Sequence, residues 1–323
     1  MFQFALRILE CGRVGVGAAA VSLLKNLLAS VVQAAISRTR FGKKLCEFDL
    51  IKQRVAKITE NIYAMESMTY HTAGLMDTYE EPDTGLEAAI LKIFSSEGVF
   101  TCVDECLHIL GAEGYLRDQP YEQYLRDARM MAGFPGTNDV TRLFIALRGI
   151  QHASKDLQGF FKTLKDPFNS LTQFIKKAKP DFKTLKVEEV VLPIFKKEAL
   201  EMQADTLEFH NVLKATLASY SKNIIDQQML LKRIADIAVD LYAQAACISR
   251  ATRARSIGLK NNNLEVLLAK SYCYAAHRRI LGNLELIREG LTFMNSDAKH
   301  KEIADMIFRH QGYAAELPTK RMW

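Results

Sequence analysis

Residues 84–110 read TGLEAAILKIFSSEGVFTCVDECLHIL. Apolar residues recur in this stretch at the spacing of a helix, which predicts one long helical element. Thr84 is followed three residues later by Glu87, and this pair predicts a capping box at the start of the helix. The same periodicity continues on both sides of the stretch, so the chain as a whole is predicted to be all-α.

Further helices are predicted before and after this stretch. In the first half of the chain they cover residues 3–37, 45–79 and 138–161, with a turn-rich segment at 111–136. In the second half they cover residues 185–209, 212–255, 264–289 and 296–313, with a loop at 258–263. We therefore expect a four-helix bundle followed by a second helical bundle, and no strand of any length.

The composition is that of an ordinary globular protein. Hydrophobic residues make up 49% and charged residues 25%, while the 17 glycines and 7 prolines are too few for an all-β sandwich or barrel. The net charge of +6 is too small to indicate nucleic acid as a partner. No nucleic-acid binding is therefore expected.

The first predicted helix is apolar enough at residues 14–36 to raise the question of a membrane span. Lys25 stands at its centre, and polar residues recur there every three or four positions. A buried bundle helix therefore explains the pattern better than a membrane span. The chain begins inside this helix, so we expect further sequence upstream.

The six cysteines are spread through apolar or helical runs. This distribution predicts reduced, buried thiols rather than a disulfide scaffold. Cys102 and Cys106 lie one helical turn apart, but no other cysteine or histidine cluster supplies the remaining ligands of a metal ion. No metal site is expected.

Residues 155–180, KDLQGFFKTLKDPFNSLTQFIKKAKP, differ from their surroundings. They contain six lysines against two aspartates, with phenylalanines interleaved. The spacing suits a helix on a surface of anionic lipid, and a linker that packs its aromatic side chains between two domains explains it equally well. We divide the chain into a helical bundle at 1–152, a basic aromatic linker at 153–183 and a second helical domain at 184–323.

Four segments of the first half occur in the order, and at about the spacing, of the acyl-CoA dehydrogenases. They are SRTRFGKKLCEF (37–48), FSSE (94–97), LHILGAEGYLRDQPYEQYLRDAR (107–129) and GTND (136–139), the last followed by Arg142. The second half resembles the extra C-terminal domain of the very-long-chain enzyme and of its relative, family member nine. The resemblance to the C-terminal half of this group covers essentially the whole chain.

This resemblance implies a fold, a cofactor and an oligomeric state. The last domain of the family is a four-helix bundle that also forms the dimer core, and the β domain before it walls in the flavin of FAD. The chain resembles the bundle and the extra domain only, without the β domain. The resemblance therefore implies a homodimer whose FAD site this chain forms in part.

Three segments of the family contact the flavin cofactor. The matching positions are Arg38, Thr39 and Phe41 in the first segment, His108, Gly111 and Ala112 in the second, and Thr137, Asn138 and Asp139 in the third. An arginine suits a diphosphate because its donors fork onto two anionic oxygens. The second segment departs from the family pattern, because Ala112 replaces a glycine and restricts close approach of the backbone. In the third, the amides of a helix start can face an anion, and Thr137 or Asn138 can cap the same helix.

The resemblance also assigns a substrate residue and a base. Arg13 matches the arginine beside the acyl-CoA thioester, and a salt bridge to an acidic residue such as Asp127 explains this arginine equally well. The glutamate that removes the α-proton in the family matches Pro135, and its alternative position on the first helix matches Gly12. Neither position carries a carboxylate. Glu10 lies about 200° around the helix from Gly12 and is expected to point away.

Two functions of different classes follow from these residues. In the first, the protein is a mitochondrial scaffold on the matrix side of the inner membrane, with complex I assembly proteins as partners, and it does not dehydrogenate acyl-CoA. In the second, it is a fragment of an FAD-dependent long-chain acyl-CoA dehydrogenase of fatty acid β-oxidation, which converts acyl-CoA to trans-2-enoyl-CoA. The identity of residue 135 decides between them.

Overall fold

The computed structural model describes residues 2–78, 83–163, 187–292, 294–316 and 319. These residues are almost entirely helical, which confirms the all-α prediction. The helices of the first half are α1 (Phe2–Ser37), α2 (Asp49–Thr78), α3 (Gly85–Leu110), α4 (Tyr121–Met131) and α5 (Asn138–Thr163). Those of the second half are α6 (Val187–Val190), α7 (Lys196–Tyr220), α8 (Gln228–Ser256), α9 (Asn262–Leu291) and α10 (Asp297–His310).

Helix α3 occupies the centre of the first half. Its buried side chains include Ala89, Ile90, Leu91 and Ile93, which are nearly consecutive and therefore point in different directions around the helix axis. Helices α1, α2, α4 and α5 pack against it, and so does α8 of the second half. Because the first half of α3 has buried side chains on nearly all sides, its neighbours have to cover it from several directions.

Two apolar cores form around α3. One lies among α1, α2, α3 and α4 and contains Leu24, Ile58 and Cys102. The other joins α2, α3 and α5 to helices of the second half and contains Met68, Ile93, Leu231 and Ile280. The two halves of the chain therefore share one apolar core rather than burying their side chains separately.

Charged side chains bridge the same two halves. Glu66 of α2 accepts hydrogen bonds from Lys25 of α1 and from Arg250 of α8, the latter at 2.9 Å. The Arg250 guanidinium lies 4.5 Å from the centre of the Tyr63 ring, and the Tyr63 hydroxyl donates to Glu265 of α9 at 3.1 Å. Burial alone would raise the pKa of Glu66, but Lys25 and Arg250 outweigh it and hold this pKa below its ordinary value.

Helix α1 packs as a bundle helix. Leu24, Leu27 and Val31 on one of its faces are buried, and α3 and α2 cover this face. Within the described residues one helix is long and apolar enough to cross a membrane by length and composition, and it is this one, from Ile8 to Ser37. The packing agrees with the interpretation of α1 as a core helix.

Some local predictions were wrong. The segment 111–136 contains α4, whose apolar side packs on α3. The helix was not predicted because the glycines and prolines at the two ends of the segment indicate turns. The predicted break after residue 209 is absent, because packing of Val212 and Thr216 carries α7 on to Tyr220. The 3₁₀ segment Ser221–Asp226 separates α7 from α8 instead.

Two smaller features also differ from expectation. Two short strands, β1 (Thr39–Arg40) and β2 (Lys43–Lys44), pair in an antiparallel hairpin between α1 and α2. Thr84 is the N-cap residue of α3, but its hydroxyl makes no capping hydrogen bond, so the predicted capping box does not form. Both departures come from backbone geometry that side-chain periodicity does not encode.

The cysteines divide into two groups. Cys102, Cys106, Cys247 and Cys273 are buried, whereas Cys11 is exposed and Cys46 is half-buried. Burial raises the pKa of both Cys102 and Cys106 to about 12, so these thiols stay protonated at neutral pH. No group of three or more potential metal ligands lies together in the part of the chain that the structure describes.

The predicted basic aromatic segment at 155–180 lies mostly outside the described residues. Its start continues α5 as far as Thr163. Residues 164–186 are not described, so both interpretations of this segment stay predictions.

The shared core predicts that the two halves unfold together. Leu231 of α8 is fully buried in that core, and Leu231→Ala is expected to lower the free energy of unfolding by about 2–5 kcal/mol through lost contacts and a cavity. Differential scanning calorimetry should show one transition that moves as a whole. The matched control is Leu267→Ala on α9, whose side chain is 65% exposed and should change stability by less than about 0.5 kcal/mol. Two transitions, with only one of them displaced, would contradict the shared core.

Candidate functional site

The first two predicted flavin segments lie side by side. Arg38 directly follows α1, and its Nη1 donates a 2.7 Å hydrogen bond to the carbonyl of Leu110 at the end of α3. The same guanidinium lies 3.8 Å from the Glu113 carboxylate. Segments that are 72 residues apart in sequence thus form one continuous surface.

The hairpin after Arg38 presents an aromatic ring to solvent. Phe41 and Gly42 form its two-residue turn with φ of 51° and 76°, the left-handed geometry that matches the twist of short hairpins. The Phe41 side chain is 95% exposed, and the cationic residues Arg40, Lys43 and Lys44 around it are exposed as well. An exposed ring on a strained turn among cations suits contact with an anionic aromatic ligand.

The loop after α3 forms the wall of a cleft of about 960 Å³. His108 and Gly111 line this cleft, and Gly111 has φ of 64° and ψ of −131°, a conformation that favours glycine. Ala112 is exposed, so its methyl group occupies open space. The tightly packed glycine is Gly114, where a Cβ would lie 2.9 Å from the Leu107 carbonyl oxygen.

The third segment uses its central side chain internally. Asn138 is buried at the start of α5, and its Nδ2 donates to the Ser96 hydroxyl and to Glu97 Oε1, both at 3.0 Å. Its Oδ1 accepts from the Lys92 ammonium at 2.5 Å. Thr137 and Asp139 on either side are exposed, so these neighbours, rather than the Asn138 side chain, are available to a ligand.

Lys92 is a buried cation that sequence reasoning missed. Its side chain is fully buried in α3, and its Nζ donates to the carbonyls of Gly136 at 2.7 Å and of Ala132 at 3.2 Å as well as to Asn138. Burial, together with the positive charges of Arg13 and Arg142, lowers the pKa of Lys92 to about 8, while Glu97 acts in the opposite direction. The available signal was a lone lysine in the apolar run AILKIF.

An arginine joins this region to the second half of the chain. Arg142 of α5 donates to both carboxylate oxygens of Glu97 at 2.6 and 2.7 Å, and to Asp236 of α8 at 2.7 Å. Burial alone would raise the pKa of Glu97, but the hydrogen bonds from Arg142 and Asn138 outweigh it and hold this pKa below its ordinary value. The arginine thus serves as a structural link between α3, α5 and α8.

Arg13 has no carboxylate partner among the described residues. Its guanidinium lies 5.4 Å from the centre of the Phe144 ring, and its buried Nε has no hydrogen-bond partner. Burial lowers the pKa of Arg13, and the charge of Glu10 opposes the shift. Asp127, the alternative partner, instead accepts a 2.6 Å hydrogen bond from Gln123. Arg13 therefore retains an unused donor.

The two predicted positions of the base lie close together in the fold. A Cβ built on Gly12 of α1 would lie 3.8 Å from Cγ of Pro135, and Pro135 is buried. The Glu10 carboxylate lies elsewhere, beside Gly85 at the start of α3, where a Cβ would approach Glu10 Oε1 to 2.9 Å. The two predicted base positions thus lie side by side, and neither side chain offers a proton acceptor.

Comparison with known proteins assigns both halves of the chain. Residues 2–150 match the model of the acyl-CoA dehydrogenase C-terminal domain, and residues 193–313 match the model of the ACAD9/ACADV C-terminal domain. The chain therefore belongs to the acyl-CoA dehydrogenase family. Within that family it carries the additional C-terminal domain that the second model describes.

Individual relatives agree with this assignment. The mitochondrial very long-chain specific acyl-CoA dehydrogenase of Bos taurus is 36% identical over 310 residues, which cover 94% of this chain and 46% of the bovine protein. The corresponding human protein is 35% identical over the same share of each chain. The chain thus spans about half the length of these curated relatives.

A solved structure shows the same fold. The crystal structure of an acyl-CoA dehydrogenase from Bacillus anthracis, complexed with FAD, superimposes with a TM-score of 0.72 at 24% sequence identity. The match covers 96% of this chain and 57% of that one. At this identity the likeness supports the arrangement of the helices alone.

The Arg142 link predicts a pH-dependent contribution to stability. Arg142→Met leaves Glu97 and Asp236 charged without their partner and is expected to lower the free energy of urea unfolding at pH 7 by about 3 kcal/mol. The folded state holds the pKa of Glu97 below its ordinary value of 4.5, so this contribution is present above pH 4.5 and is lost as the pH falls further. The difference between wild type and variant should shrink accordingly.

The control is Arg148→Met on the same helix. Arg148 pairs with Asp83 at 3.8 Å, and both side chains are largely exposed, so this variant should cost less than about 1 kcal/mol. Equal losses in the two variants would contradict a special role of Arg142.

Proposed function

We propose that this protein is a member of the acyl-CoA dehydrogenase family that no longer dehydrogenates acyl-CoA and acts as a scaffold. The observation that carries the proposal is the closeness of Gly12 and Pro135, the two family positions of the base, since a Cβ built on Gly12 would lie 3.8 Å from Cγ of Pro135. Neither side chain has a proton acceptor, and Pro135 also fixes the local backbone. Loss of a general base costs about 10²–10⁴-fold in rate.

The proposal includes a site for FAD. When bound, FAD supplies hydride acceptance in this family, and on this chain Arg38, Thr39, Phe41 and the loop at 108–112 would hold it. The fit rests on the exposed Phe41 ring and on the cleft beside His108 and Gly111. Thr137 and Asp139 flank the third segment, whose Asn138 side chain is bonded internally. In the family the first segment serves the partner subunit, which supports a homodimer here.

Arg13 supports binding of an acyl-CoA. Its buried Nε lacks a hydrogen-bond partner, and a buried unpaired donor is unfavourable unless a ligand satisfies it. The thioester region of an acyl-CoA would supply the missing acceptor. Binding of acyl-CoA without proton removal is compatible with a scaffold.

The location and partners are inferred from relatives. The similar bovine and human proteins are named as mitochondrial, and the second half matches the ACAD9/ACADV C-terminal domain. We infer a mitochondrial protein at the matrix side of the inner membrane that takes part in complex I assembly. The lysines and phenylalanines of residues 155–180 would supply the membrane contact.

A turnover assay tests the loss of dehydrogenation. Purified protein is incubated with FAD, palmitoyl-CoA and an artificial electron acceptor, and acceptor reduction is followed by absorbance. We expect no rate above that of a sample without protein, because no carboxylate stands at position 12 or 135. Clear turnover would refute the scaffold proposal.

A second candidate function is a fragment of an active long-chain acyl-CoA dehydrogenase, favoured by the retained Arg13 and Arg38. Pro135→Glu distinguishes the two, because it restores the carboxylate at the family position. Turnover gained by Pro135→Glu, and absent from the matched variant Pro135→Gln, would show that only the base is missing. A variant as inactive as the wild type would favour the scaffold.

A cellular experiment tests the assembly role. Removal of this protein is expected to reduce assembled complex I on native gels, and expression of the unchanged chain should restore it. The substitution Arg142→Met serves as a control for loss of folded protein, because it removes the hydrogen bonds by which Arg142 links the two halves of the chain. Normal complex I in cells that lack the protein would contradict the role.

A further inference from the structure

The hydrogen bonds of Lys92 are unusual for a buried lysine. An ammonium has three N–H donors, and the three acceptors within reach of Nζ are the carbonyls of Ala132 and Gly136 and the side chain of Asn138. Each donor thus has one partner. None of these three partners is a carboxylate, so the hydrogen bonds of the ammonium all go to neutral groups.

All three acceptors belong to one short segment, residues 132–138. The two carbonyls lie on either side of Pro135, and Asn138 opens α5. Pro135 in turn lies beside Gly12 of α1, on which a Cβ would come to 3.8 Å from the proline ring. A single side chain from the central helix therefore ties down the whole segment that carries the base position and the third flavin segment.

The charges around Lys92 do not explain its presence. Arg13 on α1 and Arg142 on α5 disfavour another positive charge here, and Glu97 on α3 is the one carboxylate among its charged neighbours that favours it. A buried charge without an ionic partner stabilises a core less than an apolar side chain of similar size. What the ammonium adds is three directed hydrogen bonds to one segment.

We propose that Lys92 is the positioning residue of the segment 132–138 and sets the placement of Pro135 and Thr137 relative to Gly12 and Arg13. The use of this placement for FAD rests on the proposed function, whereas the local ordering does not. Without the ammonium, the carbonyls of Ala132 and Gly136 lose this donor, and Asn138 Oδ1 keeps only the Ser96 hydroxyl at 3.2 Å. The segment then leaves its place while the two apolar cores stay folded.

Hydrogen–deuterium exchange tests the local ordering. In Lys92→Met, peptides that cover residues 131–141 are expected to exchange at least about tenfold faster than in the wild type, because charge-assisted hydrogen bonds are lost. Peptides from α8 and α9 should keep their wild-type rates within about twofold, since they contribute to a core that Lys92 does not enter. Wild-type exchange in residues 131–141 of the variant would overturn the proposal.

A matched variant separates positioning from general loss of stability. Ile58→Ala truncates a fully buried side chain on α2 in the core among α1–α4. Ile58 is not one of the hydrogen-bond partners of Lys92. The variant should raise exchange across that core without singling out residues 131–141. If Lys92→Met shows the same uniform pattern as Ile58→Ala, Lys92 has only a packing role and the proposal fails.

Two further measurements keep the proposal testable. In wild-type protein labelled with ¹⁵N-lysine, the Nζ of Lys92 should give a solvent-protected resonance that titrates near pH 8 rather than 10.5. Absence of a protected lysine resonance would overturn the proposal even if Lys92→Met does not fold.

In FAD titrations the variant should bind at least about tenfold more weakly than the wild type. A wild type that binds no FAD would refute the FAD site of the proposed function and leave the exchange result to decide the role of Lys92.

Discussion

The structure depends on one constraint, the burial of helix α3, whose first half has buried side chains on nearly every side. A strip of its second half that includes Thr101, Asp104 and His108 is exposed, and α1, α2, α4 and α5 pack around the rest. The cover is completed by α8, which belongs to the second half of the chain. For this reason the additional domain is part of the same core as the bundle, and it contributes to the surroundings of the candidate site.

Charges inside this apolar arrangement occur where segments meet. Arg142 joins α3 and α5 to α8, Lys92 joins α3 to residues 132–138, and Arg38 joins the end of α1 to the end of α3. Buried charges are unfavourable unless they are paired, so each of them fixes its partners in place. These hydrogen bonds therefore tie the loops and helix ends of the candidate site to the surrounding helices.

The candidate site has residues suited to binding but no carboxylate at either predicted base position. The surfaces that match the family's flavin segments are present, and Arg13 keeps an unused donor. At the two predicted base positions, a Cβ built on Gly12 would lie 3.8 Å from Cγ of Pro135, and neither residue carries a carboxylate. The site thus combines residues at the predicted binding positions with two predicted base positions that lack a proton acceptor.

The sequence by itself determined the all-helical class and the family, and it predicts that the two base positions lack a carboxylate. Helical periodicity carries the first, ordered motifs carry the second, and the third is a matter of residue identity. Local signals failed where backbone geometry or packing decided, as at α4, at the Phe41–Gly42 turn and in the continuation of α7. Only the tertiary structure brought Gly12 to Pro135, Arg38 to Leu110 and Lys92 to its three acceptors. These contacts join residues tens of positions apart, and they follow from how the helices pack around α3, which no local pattern encodes.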